Sequence, residues 1–213
     1  MNLSKLFRDG SSEDHSKAEK SKFIQAMFRG QLTKEAYIVN LEAMLHLYTA
    51  LEAELEKHKE DKNVSKIFYP ELFRKKSLEQ DLYFFGGDRY NHGSPSKNTK
   101  EYTNWLEEIS RSSPKNLISH AYVRYLGDLS GGQILGKIIR KTFALQEGNG
   151  DLFYTFAIND IDQFKNLYRS QLDSLEITDQ EKQELLHEVK IAFQMNGEIF
   201  SELDEYLLSQ IKL

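Results

Sequence analysis

Tyr122-Val123-Arg124-Tyr125-Leu126-Gly127-Asp128-Leu129-Ser130-Gly131-Gly132-Gln133-Ile134-Leu135-Gly136 carries the strongest signal in the chain. It lies inside a helical pattern, yet it holds four of the twelve glycines. A glycine in a helix interior costs up to about 1 kcal/mol against alanine. Four together cost on the order of 3–4 kcal/mol, a large part of a domain stability of roughly 5–15 kcal/mol. The physical return is close approach, because a helix face without Cβ atoms lets a flat ligand or another backbone touch the main chain. Gly127 and Gly131 are four apart and share a face, with Gly132 beside them. Spacing alone leaves tight helix–helix packing equally open, since Gly-x-x-x-Gly is a weak motif. Packing does not account for Arg124, Asp128 and Ser130, which crowd the same two turns and suit a hydrogen-bonded network at a ligand.

Outward from this stretch the pattern stays helical. Pro114 follows Ser113, so a Ser N-cap with Pro at the first helical position starts a long helix over 114–143. Tyr37, Leu41, Met44, Leu45, Tyr48, Leu51 and Leu55 recur at three- and four-residue spacing and predict a helix over 33–57. Leu185, Val189, Ala192, Phe193, Asn196, Phe200, Leu203 and Leu207 do the same over 178–208, where Thr178 and Glu181 form a capping-box signature. Further helices are expected at 12–29, 77–86, 98–111 and 161–174, with loops at 86–96 and 146–151. Phe153-Tyr154-Thr155-Phe156 is the one candidate strand. With only three prolines and no repeat, the expectation is a single all-α domain over 1–213.

Composition narrows the function. The chain has 28 basic and 33 acidic residues, a net charge of −5, which argues against broad nucleic-acid binding. It has no cysteine, which excludes disulfide scaffolds, thiolate metal sites and thiol nucleophiles. Hydrophobic residues at 39% and charged residues at 29% are those of a globular chain that can bury a core. No apolar run approaches the roughly 18 residues of a membrane span, the first residues lack a secretory apolar region, and the last ones are amphipathic. These features predict a soluble, cytoplasmic protein with no membrane partner. No flavin or nicotinamide motif is present.

The segment Tyr-x-Arg-Tyr-Leu-Gly-Asp-Leu-Ser-Gly-Gly-Gln at 122–133 resembles the signature of the haem oxygenases. His15-Ser16-Lys17-Ala18-Glu19 resembles that family's proximal segment, and Tyr48–Glu52, Tyr69–Leu72, Leu78–Leu82 and Phe164–Ser170 are similar to family stretches in the same order. The resemblance runs from near residue 3 to near residue 207. It implies a multi-helix fold with haem sandwiched between a proximal helix and a glycine-kinked distal helix. It further implies oxidative, O2- and reductant-dependent cleavage of haem b at the α-meso carbon to biliverdin IXα, ferrous iron and carbon monoxide, with haem both substrate and cofactor. The same fold without catalysis would be a haem-binding or sequestration protein.

The resemblance assigns His15 as the proximal iron ligand and Glu19, one turn on, as the acceptor that fixes its tautomer. It assigns Asp128 the catalytic role of holding water beside the reacting oxygen, with the Gly127 and Gly131 backbones against the haem. Tyr48, Arg124 and Asn196 would form the distal hydrogen-bond network. Arg8, Lys165 and Arg169 would hold the propionates, a task suited to the planar guanidinium, and Tyr122 would add an edge contact. Electrons would come from a separate ferredoxin or flavoprotein reductase, and a biliverdin-using enzyme would be a downstream partner. His120, two turns before Gly127, and His46, His58, His92 and His187 receive no ligand role. Gly136 departs from the family's usual lysine.

Overall fold

The computed structural model describes residues 2–87 and 93–211, with side chains through residue 209. Part of the loop expected at 86–96, including His92, lies outside them. Ten α-helices follow in order: α1 Leu3–Gly10, α2 Ser12–Ala18, α3 Lys22–Phe28, α4 Lys34–Lys57, α5 Lys75–Gly86, α6 Lys97–Ser112, α7 Leu117–Gly127, α8 Gln133–Thr142, α9 Ile161–Asp173 and α10 Asp179–Ile211. A π-helical turn, Asp128–Gly132, joins α7 to α8. No strand occurs among the described residues, and none of their helices is long and apolar enough to cross a membrane.

Two long helices frame the molecule. The apolar stripe of α4 buries Tyr37, Leu41, Met44, Tyr48, Leu51 and Leu55 against α5, α6 and α7. Its start is closed by Thr33, whose hydroxyl accepts the Ala36 N–H at 3.1 Å. α10 begins with the expected reciprocal cap: Thr178 Oγ1 accepts the Glu181 N–H at 3.2 Å, and Glu181 Oε2 accepts the Thr178 N–H at 2.8 Å. It packs on α1, α2, α3, α4, α6 and α7. The helix α7, the π turn and α8 thus lie where α4, α10 and the short N-terminal helices meet.

Three expectations change on folding. The helix expected over 12–29 is two helices, α2 and α3, broken at Glu19–Ser21. The break is held by Asp204 of α10, whose Oδ1 accepts Ser21 Oγ–H at 2.9 Å and Phe23 N–H at 2.6 Å, while Oδ2 accepts Lys22 N–H at 3.1 Å. A carboxylate from a distant helix satisfies the orphan donors that an unbroken helix would not have. The long helix expected over 114–143 is a 3-10 turn at Pro114–Asn116, then α7, the π turn and α8. The candidate strand at 153–156 is instead entered through a 3-10 turn, Leu152–Tyr154. Buried Asp81 of α5 accepts both the Leu152 and Phe153 N–H groups, at 2.9 and 2.7 Å, which binds that backbone inward and leaves no ladder for a sheet.

A second buried carboxylate works the same way. Glu52 on α4 accepts the N–H groups of Arg74 and Lys75 at the start of α5. Burial pushes the Glu52 carboxyl up to about 7, with the Arg74 and Lys75 donors holding it from going further. Its folded value lies above its unfolded one, so its contribution to stability is full below the unfolded value and is lost as pH rises through 7. Chemical denaturation at pH 5 and pH 8 will therefore show a loss of stability toward pH 8. Glu52→Gln is expected to remove on the order of 1–3 kcal/mol of that pH dependence. An unchanged difference in the glutamine variant would mean that Glu52 titrates normally.

Candidate functional site

The distal face begins with the glycines. A Cβ built on Gly127 or on Gly131 meets nothing within 4 Å. A Cβ on Gly136 would lie 2.8 Å from Tyr154 Cβ, and one on Gly132 would lie 3.5 Å from the Tyr154 ring. The two explanations open in the sequence therefore divide the glycines between them. Gly132 and Gly136 seat Tyr154 against the helix, whereas Gly127 and Gly131 border open space. Gly136, the departure from the family's lysine, is buried in that contact.

The open space is a cavity of about 590 Å³, within the size range of sites for small organic ligands. Gly127, Asp128 and Gly131 line it, as do His15 of α2, Glu19 just after that helix, and Phe193, Asn196 and Phe200 of α10. The His15 ring packs edge-on against Phe193, with centroids 6.0 Å apart, and its Nδ1 lies 3.7 Å from Glu19 Oε1. With Nδ1 turned to Glu19, Nε2 is the nitrogen left for a ligand.

Behind the glycine wall is a buried polar network. Tyr48 donates its hydroxyl proton to Asp128 Oδ2 and accepts from Arg124 Nε at 3.1 Å. Arg124 also donates to Asn196 Oδ1 at 2.7 Å and to Met44 Sδ at 3.3 Å, and stands 3.6 Å from Asp128 Oδ1. The intrahelical Arg124–Asp128 pair and the wider network are thus one structure. Burial raises the Asp128 carboxyl above its ordinary value, against the pull of Arg124 and the Tyr48 hydrogen bond. Burial works against the Arg124 charge, but Tyr48 and Asp128 beside it leave it raised.

One end of the cavity is cationic. Arg8, Tyr122 and Arg169 all line it. Tyr122 is held by an edge contact with Phe7 at 5.0 Å, while Arg8 Nε reaches Asp9 at 2.8 Å and Arg169 Nη1 reaches Asn166 at 3.3 Å. Lys165, expected beside Arg169, does not line the cavity; its Nζ is 2.7 Å from Asp162 Oδ1. Tyr48 also stands back from the wall and reaches it through Asp128. The remaining expected residues, His15, Glu19, Arg124, Gly127, Asp128, Gly131 and Asn196, come together around the one space.

Sequence reading missed several participants. Met27 lines the cavity without belonging to any motif, Leu135 lies in the glycine-rich stretch but was given no role, and Phe153 and Tyr154 fell within the segment read as a strand. The network also runs on behind Asn196. Asn196 Nδ2 donates to Tyr102 Oη at 3.4 Å, Tyr102 donates to His120 Nδ1 at 2.9 Å, and His120 Nε2 donates to Glu188 at 2.8 Å. No local pattern says what Tyr102 or His120 bonds, because their partners lie on other helices.

The chemistry of this site fits haem. A macrocycle that brings its own four nitrogens needs one neutral imidazole, a flat surface free of Cβ atoms and positive charge for two carboxylates. Among the described residues no group of three or more acidic or histidine side chains could hold a bare metal ion. The fold and site together define an all-α protein with a cavity suited to a flat, anionic macrocycle. The sequence model of the family described as heme oxygenase matches residues 1–202. The chain is 40% identical over 216 residues to heme oxygenase 1 of Bos taurus, covering all of this chain and 75% of that one. It is 40% identical to a heme oxygenase of Rhodella violacea, covering 100% and 91%. Its fold matches the heme oxygenase of Leptospira interrogans with a TM-score of 0.92 and 46% identity over 95% of this chain and 100% of that one. It matches heme oxygenase-1 of Synechocystis, solved in complex with heme, with a TM-score of 0.94 and 37% identity over 100% and 96%. The chain belongs to the haem oxygenase family, oxidoreductases that degrade haem to biliverdin.

The division of the glycines predicts opposite effects of one substitution. Gly131→Ala is expected to leave the ligand-free protein as stable or up to about 1 kcal/mol more stable, through helix propensity alone. Gly136→Ala is expected to destabilise it by about 1–3 kcal/mol through overpacking against Tyr154. Urea denaturation of the two variants measures both; equal losses would mean that Gly131 also faces protein.

Proposed function

We propose that this chain opens haem at the α-meso carbon, releasing biliverdin IXα, ferrous iron and carbon monoxide. The observation that carries the reading is that His15 lines the same cavity as Asp128, Gly127 and Gly131. Bound haem supplies both the iron at which oxygen is reduced and the ring carbon that is oxidised. His15 Nε2 ligates the iron, while Glu19 accepts from Nδ1–H and keeps the imidazole in that tautomer. The Cβ-free backbone at Gly127 and Gly131 lets the distal helix close over the macrocycle and excludes bulk water from it.

Asp128 acts through a water held beside the reacting oxygen. Its Oδ2 is occupied by Tyr48, so the water bonds Oδ1. Arg124, fixed by Tyr48, Asn196 and Met44, keeps the carboxylate in one orientation. A carrier that only stored haem would have no use for a buried, charge-supported carboxylate at that point, which favours catalysis over sequestration.

Arg8, Arg169 and Tyr122 receive the propionates through charge-assisted hydrogen bonds, without Lys165, whose charge is met by Asp162 away from the cavity. The propionates flank the γ-meso carbon, so anchoring them at this end directs the α-meso carbon to the far end, near Leu135 and Tyr154. Electrons come from a separate ferredoxin or flavoprotein reductase, because the chain has no cysteine for a cluster and no flavin or nicotinamide motif. A biliverdin-consuming enzyme and a cytoplasmic setting complete the reading.

Haemin, a chemical or enzymatic reductant and air will give one bilin, which chromatography identifies as the IXα isomer; another isomer, or a mixture, would sink the propionate assignment. His15→Ala is expected to lose the histidine-ligated Soret spectrum and turnover, with added imidazole restoring the spectrum. Asp128→Ala is expected to bind haemin within a few-fold of the parent and to lower the bilin yield at least tenfold. Full bilin production by the Asp128 variant would reduce that carboxylate to a structural part.

A further inference from the structure

At the end of the cavity away from Arg8, Tyr122 and Arg169, one polar side chain has nothing to bond. Asn40 of α4 is 3% exposed and lines the cavity. Its side chain makes no hydrogen bond to another described residue, and its amide is open to the cavity rather than sealed in the core. A carboxamide offers two donors and two acceptor lone pairs, so this one is free to bond whatever fills the cavity.

Its place follows from the helix it rides on. Asn40, Met44 and Tyr48 are four apart and share a face of α4. Tyr48 meets Asp128, and Met44 Sδ takes the Arg124 hydrogen bond at 3.3 Å. Asn40 is one turn further and about 12 Å along the axis from Tyr48. One turn beyond that, Tyr37 lies beside Tyr154, the ring seated on Gly132 and Gly136. Tyr154 is in turn 3.7 Å from Met27 Sδ through its hydroxyl. Asn40 therefore lies between Arg124 and Tyr154, on the side remote from the cationic end.

Intact haem gives that amide nothing to bond. Opposite its propionates the macrocycle carries methyl and vinyl groups and a C–H meso carbon. Ring opening at that carbon replaces the C–H edge with two lactam carbonyl oxygens, and loss of iron leaves pyrrole N–H groups. A carboxamide matches such an edge, with Nδ2–H donating to a lactam oxygen and Oδ1 accepting an N–H.

We propose that Asn40 recognises the opened, oxygenated edge of the linear tetrapyrrole product, so that the cavity discriminates bilin from haem at this position. The inference rests on the haem orientation proposed above. Its consequence is retention of the bilin after ring opening, with release depending on breaking the Asn40 contact.

Titrations of the full-length protein with haemin and with biliverdin IXα, followed by absorbance, test it. In Asn40→Val the ratio of the biliverdin to the haemin dissociation constant is expected to rise about tenfold. A ratio within twofold of the parent would overturn the proposal and leave Asn40 as a water site. A measurement on the unmutated protein stands in should the valine variant fail to fold. The infrared lactam C=O band of bound biliverdin is expected below its position in an aprotic solvent, and a band at the aprotic position would overturn the proposal. Failure of the underlying reading looks different: the parent protein would then not bind haemin one to one or would yield no bilin. A parent that turns haemin over, with an unchanged ratio in the variant, removes only the role of Asn40.

Discussion

A carboxylate buried beside an open cavity is tolerable only if its charge is answered from behind, and Arg124 answers Asp128. The desolvation of two ions is costly, and their attraction repays it only when the remaining donors and lone pairs are satisfied. Here Tyr48 bridges the two ions, Asn196 and Met44 take further Arg124 donors, and Tyr102, His120 and Glu188 carry the bonding on to α6 and α10. α4, α6, α7 and α10 are therefore tied by one polar network as well as by their apolar faces. The long helices hold their mutual positions in part because each contributes a member that would otherwise be a buried, unpaired polar group.

The glycines give the same region its shape. Two of them open a surface to the cavity, and the other two let Tyr154 press onto the helix from outside it. The π turn at Asp128–Gly132 lies where these two demands meet. Carboxylates on other helices serve the site indirectly. Asp81 draws in the Leu152–Tyr154 turn that delivers Phe153 and Tyr154 to the cavity, and Asp204 holds the α2–α3 break that sets α2 apart from α3. A wall of the cavity thus depends on backbone donors capped from residues far away in sequence.

Periodicity exposed α4 and α10 because burial on one side imposes a 3.6-residue rhythm that composition cannot disguise. The same rhythm over 12–29 and 114–143 concealed the breaks, since a cap donated by Asp204 leaves no trace in the segment it caps. α1 was unreadable for a similar reason: it is short, and only Leu3 and Phe7 are buried. Tyr154 was misplaced in a run of aromatic residues that looks strand-like when Asp81 is out of view.

The chain by itself determined its all-helical class, its family and the set of polar and glycine residues from which a site could be built. These follow from local spacing and from residue chemistry, which survive without knowledge of neighbours. Only the tertiary structure decided which glycines face a ligand and which face Tyr154, that Arg169 rather than Lys165 reaches the cavity, and that Asn40 is left without a partner inside it. Helical spacing assigns a residue to a face, but what stands opposite that face is settled by contacts between segments tens of residues or more apart, and no local pattern encodes them.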